Sequence, residues 1–291
     1  MANSLREVKK RISSTESTAQ ITKAMYMVSS SKVKKAEKTY KNYQDFMERI
    51  ALMVKQVITK KDIDYIHPLM KERKIKKTAF LIITSDKGLA GAYNSSIYKA
   101  LEAKILEDGL QKENILFGAV GKQGFSYLKR KNYNLILNEP THIRDDVMFV
   151  DILALSNKFI SAYLNEEIDK LVIVYNHFVN SLTQEIRFEE LLPITGLEGQ
   201  ESSIDYSYET GIEKTLNLLL PIYIKDIFYG IILDAKVAEH SARMNSMRNA
   251  TDNAKEVISK LELLYNRARQ GAITTELIDI IGGANAIGGE R

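Results

Sequence analysis

The stretch SDKGLAGAYN at residues 85–94 follows a short apolar run, TAFLIIT at 78–84, and precedes a helix-patterned segment. A strand, a glycine-bearing turn and a helix N-terminus in that order point backbone amides at one place, where a phosphate or other anion would bind with Lys87 nearby. The stretch matches neither G-x-G-x-x-G nor G-x-x-x-x-G-K-[ST]. Two glycines three apart also serve strand-to-helix turns for backbone reasons alone. His67, His142, His177 and His240 are scattered without metal-ligand spacing, so each reads as surface or as satisfied core. Cysteine is absent, which excludes disulfides, thiolate metal sites and a cysteine nucleophile. No acid–base or nucleophilic constellation stands out elsewhere. The chain is expected to catalyse nothing alone and to need no cofactor or metal.

The elements around that turn alternate. Strands are expected at Thr78–Thr84, Ile115–Val120 and Tyr133–Leu137, with helices to about Asp108 and near Gln123–Arg130. After Arg144-Asp145-Asp146 comes an amphipathic helix over 147–164, then Leu171–Val179 and Gln184–Leu191 as an antiparallel pair. Such alternation predicts a Rossmann-like α/β sheet. Residues 195–207 read as a polar loop, after which Glu209 opens a long return to helix that Pro221 punctuates early.

Both ends of the chain carry heptads. Stepping 3-4-3-4 from Leu5 through Ile12, Ala19, Tyr26, Val33, Tyr40 and Met47 to Val57 gives positions that are apolar or aromatic at all but Thr15, Thr22 and Ser29. No glycine or proline interrupts residues 1–67. A weaker seam runs Val237, His240, Met244, Met247, Thr251, Ala254, Ile258, Leu261, Tyr265, Ala268 and Ala272. Helices over 4–58 and roughly 222–281 would each span on the order of 80–90 Å at about 1.5 Å per residue. Because the middle of the chain folds back, the two are expected to pair antiparallel in a left-handed coil. The fold class that follows is α/β: a long antiparallel coiled coil of the terminal helices plus a central Rossmann-like domain. Its parts are residues 1–67, 68–208 and 209–291.

At 291 residues, 45% hydrophobic and 27% charged, the chain supports one moderate core plus a coil. No signal-peptide core and no run of eighteen consecutive apolar residues is present, so a soluble, unexported protein is expected. Residues 1–60 hold thirteen Lys/Arg against five acids. An acidic protein surface answers that charge as well as nucleic acid does, since the basic residues are spread around the helix and no recognition module accompanies them.

Three segments carry a specific resemblance: ISSTESTAQITKAMYMVSSSKVKKAEK (12–38), the SDKGLAGAYN turn, and AEHSARMNSMRNATDNAKEVISKLELLYNRARQGAITTELIDIIGGANAI (238–287). In this order they resemble the gamma subunit of bacterial F-type ATP synthase, end to end. The sequence departs from the family at Lys87, Ala90, Gly271 and the GGER tail. The resemblance implies a non-catalytic rotor shaft. Its coiled coil turns inside a ring of alpha and beta subunits, coupling proton flow through the membrane sector to ATP synthesis or hydrolysis. The implied partners are alpha, beta, epsilon, delta through the F1 complex, and the c-subunit ring, with no nucleic acid and with the membrane touched only indirectly. The implied location is peripheral, at the cytoplasmic face of the cell membrane.

Residue by residue, the resemblance assigns Met25, Lys87, Arg243, Arg269, Gln270 and Thr274 to contact with alpha and beta. Lys23, Lys32, Lys34 and Lys35 suit an acidic lever of beta. Leu277, Ile278, Ile280, Ile281 and Ile287 would turn in an apolar sleeve, and Tyr206, Tyr208 and Glu209 would form the foot at the c ring and epsilon. Two other readings stand beside this one. A coiled-coil adaptor or nucleic-acid-associated protein accounts for the heptads and basicity, and a nucleotide-binding enzyme accounts for the α/β domain.

Overall fold

The computed structural model describes residues 2–58, 65–195 and 211–288. Helix α1 spans Ala2–Ile58, β1 Thr78–Ile83, α2 Tyr93–Glu107, β2 Ile115–Val120, α3 Lys122–Arg130, α4 Phe149–Leu164, β3 Lys170–Phe178, β4 Gln184–Leu192 and α5 Ile212–Gly288. Contacts divide the chain into two compact units, Met1–Val28 with Ser246–Arg291, and Ser29–Asn245. Helices α1 and α5 contribute to both.

In the unit of residues 29–245 the sheet has the order β2-β1-β3-β4. β1 runs parallel to β2 and β3, and β4 closes one edge antiparallel to β3. Period-two alternation decides which side chains meet which helices. Ala79, Leu81 and Ile83 of β1 and Leu171, Ile173 and Tyr175 of β3 join a core with α4, the end of α1 and the start of α5. Phe80, Ile82, Phe117, Val172 and Val174 face the other way, into a core with α2 and α3. Both faces are therefore covered, which is why β1 reads as an unbroken apolar run instead of an alternating one.

The coil within this unit is antiparallel. Tyr43 of α1 donates its hydroxyl to buried Asp226 of α5 and packs edge-on against Tyr229, while Tyr65, further along the chain, bonds Asn217, earlier in α5, at 3.1 Å. Gly230 marks the close crossing: a Cβ there would meet Met47 Sδ at 2.2 Å. In the unit of residues 1–28 with 246–291, only a seam is covered. Thr22, Thr251 and Ala254 lie inward, Thr251 donating to the Thr22 hydroxyl at 2.8 Å, while Ile21, Val28, Leu263 and Leu264 face outward.

Two expectations change. Residues 133–137 form no strand; only an isolated parallel bridge joins Leu135 to Phe117, since the Asn134 carbonyl and the Ile136 amide bond Phe117 and the ladder goes no further. Helix α5 already begins at Ile212 and runs through Pro221. Proline removes one N–H and crowds the carbonyl four residues back, but that residue, Asn217, is exposed to water, so the lost bond is replaced cheaply. No run of eighteen consecutive apolar residues occurs, but α5 has an 18-residue window, charged residues included, of mean hydropathy 1.6, and 56% of it is buried inside the protein. Its apolarity serves the core between the sheet and α1. Glu209, expected to open the return helix, lies outside the described residues.

Candidate functional site

The SDKGLAGAYN turn is braced by its own side chains. Asn94 accepts from the Ser85 amide at 3.0 Å and donates to the Ser85 hydroxyl at 2.8 Å, while that hydroxyl donates to the Lys87 carbonyl at 2.7 Å. Asp86 accepts the Lys122 amide at 2.9 Å and faces His142 Nδ1 at 2.8 Å. Leu89 and Gly91 both hold positive φ, 63° and 59°. The arrangement serves backbone geometry, the second of the two uses the sequence allowed.

The same turn docks on α5. Arg243 donates to the Lys87 carbonyl at 3.2 Å and to Glu239 at 2.8 Å, and Lys236 reaches Glu239 at 3.1 Å. The Glu239 side chain is 6% exposed and that of Arg243 12%, so this is a desolvated, shared ion pair that fixes the loop to the helix. Lys87 and Arg243 are thus brought together, but through the Lys87 backbone; the Lys87 side chain faces solvent. The Arg243 guanidinium is engaged within the chain. Its partner Glu239 stands four residues earlier in AEHSAR, a spacing that signals such a pair on a helix.

The remaining sequence-derived positions are spread along the helices. Met25 is half-buried beside the seam. Arg269 and Gln270 are exposed, and neither side chain has an intramolecular partner among the described residues; Thr274 is exposed with its hydroxyl bonded to the Gln270 carbonyl at 2.9 Å. Lys23, Lys34 and Lys35 carry no ion pair among the described residues, whereas Lys32 reaches Asp145 at 2.6 Å. Lys32 is therefore committed inside the chain, a tie across 113 residues that no local pattern signals. The tip is apolar and open: Leu277, Ile278, Ile280 and Ile281 are 53–67% exposed. The Ile287 side chain and Tyr206, Tyr208 and Glu209 lie outside the described residues.

The histidines divide. His67 accepts the Leu69 amide at 3.1 Å, and His177 pairs with buried Asp234 at 2.5 Å. His240 departs from the expectation of a satisfied core residue: it is 2% exposed and neither ring nitrogen has a hydrogen-bond partner. Among the described residues, no group of three or more His, Cys, Asp or Glu is arranged to hold a metal.

A family model described as ATP synthase matches residues 4–287. A central-stalk and c-ring structure of the Tetrahymena thermophila mitochondrial ATP synthase contains a chain similar at 25% identity and TM-score 0.58, covering 79% of this chain and 99% of that one. A chain of the Euglena gracilis mitochondrial ATP synthase, from an OSCP/F1/c-ring assembly in rotational state 3, superposes with TM-score 0.69 at 16% identity over 100% of this chain and 97% of that one. A chain of the Euglena rotor in rotational state 1 gives TM-score 0.64 at 14% identity, covering 94% and 100%. The Euglena likenesses establish the shared fold.

Proposed function

From the premise that the chain belongs to the F1 gamma family of ATP synthase, we propose a specific division of labour along it. The chain is a central-stalk rotor subunit, a non-catalytic part of its complex. Its task is mechanical. A shaft biases the catalytic subunits only if its surface meets their alternative states differently, since equal contact shifts no equilibrium.

The observation that carries the proposal is the one-sided burial of residues 5–28 and 246–284: the seam is covered, and the outward faces keep both exposed aliphatics and unpaired polar groups. Arg269, Gln270 and Thr274, with Met25 and Lys23 from α1, form the surface offered to alpha and beta. Arg269 supplies a planar charged fork suited to acidic loops. Leu277, Ile278, Ile280 and Ile281 form an apolar bearing, because an aliphatic patch of that kind left in water signals a covered surface. Lys87 presents its ammonium from a loop that Arg243 holds in place. Epsilon and the c ring meet the chain at the segment containing Tyr206, Tyr208 and Glu209, an assignment resting on the sequence motif. The complex is peripheral on the matrix or cytoplasmic side of its membrane; for this chain we place it at the cytoplasmic face of the cell membrane.

Because the chain lacks cysteine, Leu106→Cys on α2, at a residue 80% exposed, gives a unique attachment point. With the alpha/beta ring of the reconstituted complex immobilised, a marker on that cysteine is expected to rotate in one direction while ATP is hydrolysed. Hydrolysis with a stationary marker would overturn the rotor assignment.

A further inference from the structure

A cavity of about 420 Å³ opens between α1, α5 and the segment just before α4. It lies wholly within the unit of residues 29–245, and the Lys32–Asp145 pair described above stands on its wall. Its volume falls in the range of small-molecule sites. Ala36, Val147, Met148 and Leu233 give it apolar walls, and Lys32, Lys35, Lys236 and His240 bring nitrogen atoms to it.

The charges around the cavity do not cancel. Asp145 answers Lys32 at 2.6 Å, Glu239 is shared by Lys236 at 3.1 Å and Arg243 at 2.8 Å, and Asp146 has Arg144 at 3.7 Å. Lys35 has no such partner among the described residues. Beneath it sits His240, fully desolvated, with Nε2 3.4 Å from Asp145 Oδ1 outside hydrogen-bonding geometry and with Nδ1 unbonded. Burial pushes the His240 pKa down to about 4, so the ring is neutral near pH 7 and offers one donor and one acceptor. A buried ring with neither nitrogen satisfied is unfavourable by the desolvation of both, and a bound polar group would remove that deficit. Against the burial that would raise it, the Lys32 ammonium holds the Asp145 carboxyl below its usual range, so Asp145 stays anionic and keeps Lys32 occupied.

We propose that this cavity binds a small organic monoanion, an apolar-bodied carboxylate whose head group pairs with Lys35 and hydrogen-bonds His240 while its chain lies against Val147, Met148 and Leu233. Lys35, a lining cation with no acidic partner among the described residues, calls for a negative charge, and the apolar walls call for a hydrocarbon body. The inference goes beyond the rotor assignment and is independent of it, since it concerns a site enclosed by this chain alone.

The test uses the purified full chain with decanoate as probe, followed by calorimetry and by the ring-nitrogen spectrum of the four histidines. Saturable binding that shifts the His240 nitrogens is expected. Lys35→Gln and replacement of decanoate by neutral decanol should each weaken it about tenfold, the size of one lost charge-assisted contact. Ala36→Leu, which fills the cavity from α1, should abolish the His240 shift. Absence of saturable binding, a bound state that leaves His240 unmoved, or decanol binding as tightly as decanoate would each overturn the proposal. If Lys35→Gln fails to fold, Ala36→Leu and the decanol comparison still decide it.

Discussion

Residues 29–245 and the unit formed by 1–28 with 246–291 hold their charges differently. In the first, some ion pairs join distant segments, as Lys32 with Asp145 and Arg73 with Asp169 at 3.0 Å, beside local ones such as Lys41 with Glu37. In the second, they stay within one helix turn, as in Arg11 with Glu7, Lys255 with Asp252 and Lys260 with Glu256. Long-range pairs tie elements to one another, whereas exposed i,i+4 pairs contribute only a few tenths of a kcal/mol to their own helix. Burial follows the same division, with side chains covered on both sheet faces in one unit and along a single seam in the other. A surface that must engage moving partners has to remain unsatisfied by its own chain, and the second unit leaves it so.

If that contrast is right, the largest losses come from tight backbone positions in residues 29–245. Gly121, at φ 87°, lies so close to the end of β1 that an added Cβ would sit 2.3 Å from the Thr84 carbonyl oxygen. The two strand ends are locked there, with the Thr84 hydroxyl donating to the Val120 carbonyl at 2.7 Å and accepting the Gly124 amide at 2.9 Å. Gly121→Ala is expected to cost about 3 kcal/mol or more, because backbone cannot step aside as a flexible side chain does. The urea midpoint of the near-ultraviolet tyrosine signal measures it; a loss under about 1 kcal/mol would remove the claim that this unit is the rigid one.

Asp226 tests the core side of α5 with the opposite sign. It is 2% exposed, and burial pushes its carboxyl up to about 6. Its folded pKa thus exceeds an unfolded value of about 3.9, so its contribution is fully present below about pH 4 and is lost as pH rises through about 6. Asp226→Asn keeps an acceptor for the Tyr43 hydroxyl and removes the buried charge. We expect the variant to be more stable by about 1–2 kcal/mol at pH 7.5, less than the full shift implies because Tyr43 bonds the carboxylate, and the gap should close near pH 4. Unfolding curves at the two pH values check this, and a gap that does not change with pH would exclude Asp226 as its source.

The difference between the units also decides what was legible in the sequence. A heptad is a local statement, and every seam position from Leu5 to Val57 and from Val237 to Ala272 is at least half-buried. Strands β1 to β4 were legible for the same reason. The Tyr133–Leu137 segment was not, because its apolar residues pack on the two cores while its backbone meets β2 only through the Asn134 carbonyl and the Ile136 amide, both bonded to Phe117. Nor was the continuity of α5 through Pro221, since proline inside a helix is decided by whether the carbonyl behind it meets water. At the candidate contact surface, the family resemblance assigned Arg243 and Arg269 alike. Only the fold separates them, by burying one guanidinium against Glu239 and leaving the other in solvent.

A smaller effect is expected at Gly271, mid-helix in α5, where an added Cβ meets nothing within 4 Å. Alanine there gains helix propensity of about 1 kcal/mol with no steric penalty. Gly271→Ala should therefore raise amide protection around residues 262–280 in hydrogen exchange while leaving the sheet unchanged. Spread of the effect to β1 or β3 would mean the two units do not open separately.

The smallest stability change belongs to the positions with the largest expected role. Arg269 and Gln270 are exposed, and their side chains make no hydrogen bond or ion pair among the described residues. Exposed polar side chains of this kind contribute about 0–1 kcal/mol at most, and both arginine and glutamine are already close to alanine in helix propensity. The double variant Arg269→Ala with Gln270→Ala should thus unfold within about 0.5 kcal/mol of the parent chain. On the proposed contact surface the same groups would be desolvated against moving partners in the assembled complex, where losing a charge-assisted contact affects coupling far more than folding. ATPase and synthesis rates of the reconstituted complex should both fall, while the amount of assembled complex stays constant. Parental rates in both directions, at equal assembly, would show these two residues to be ordinary helix surface and would move the contact surface elsewhere on the unit of residues 1–28 with 246–291.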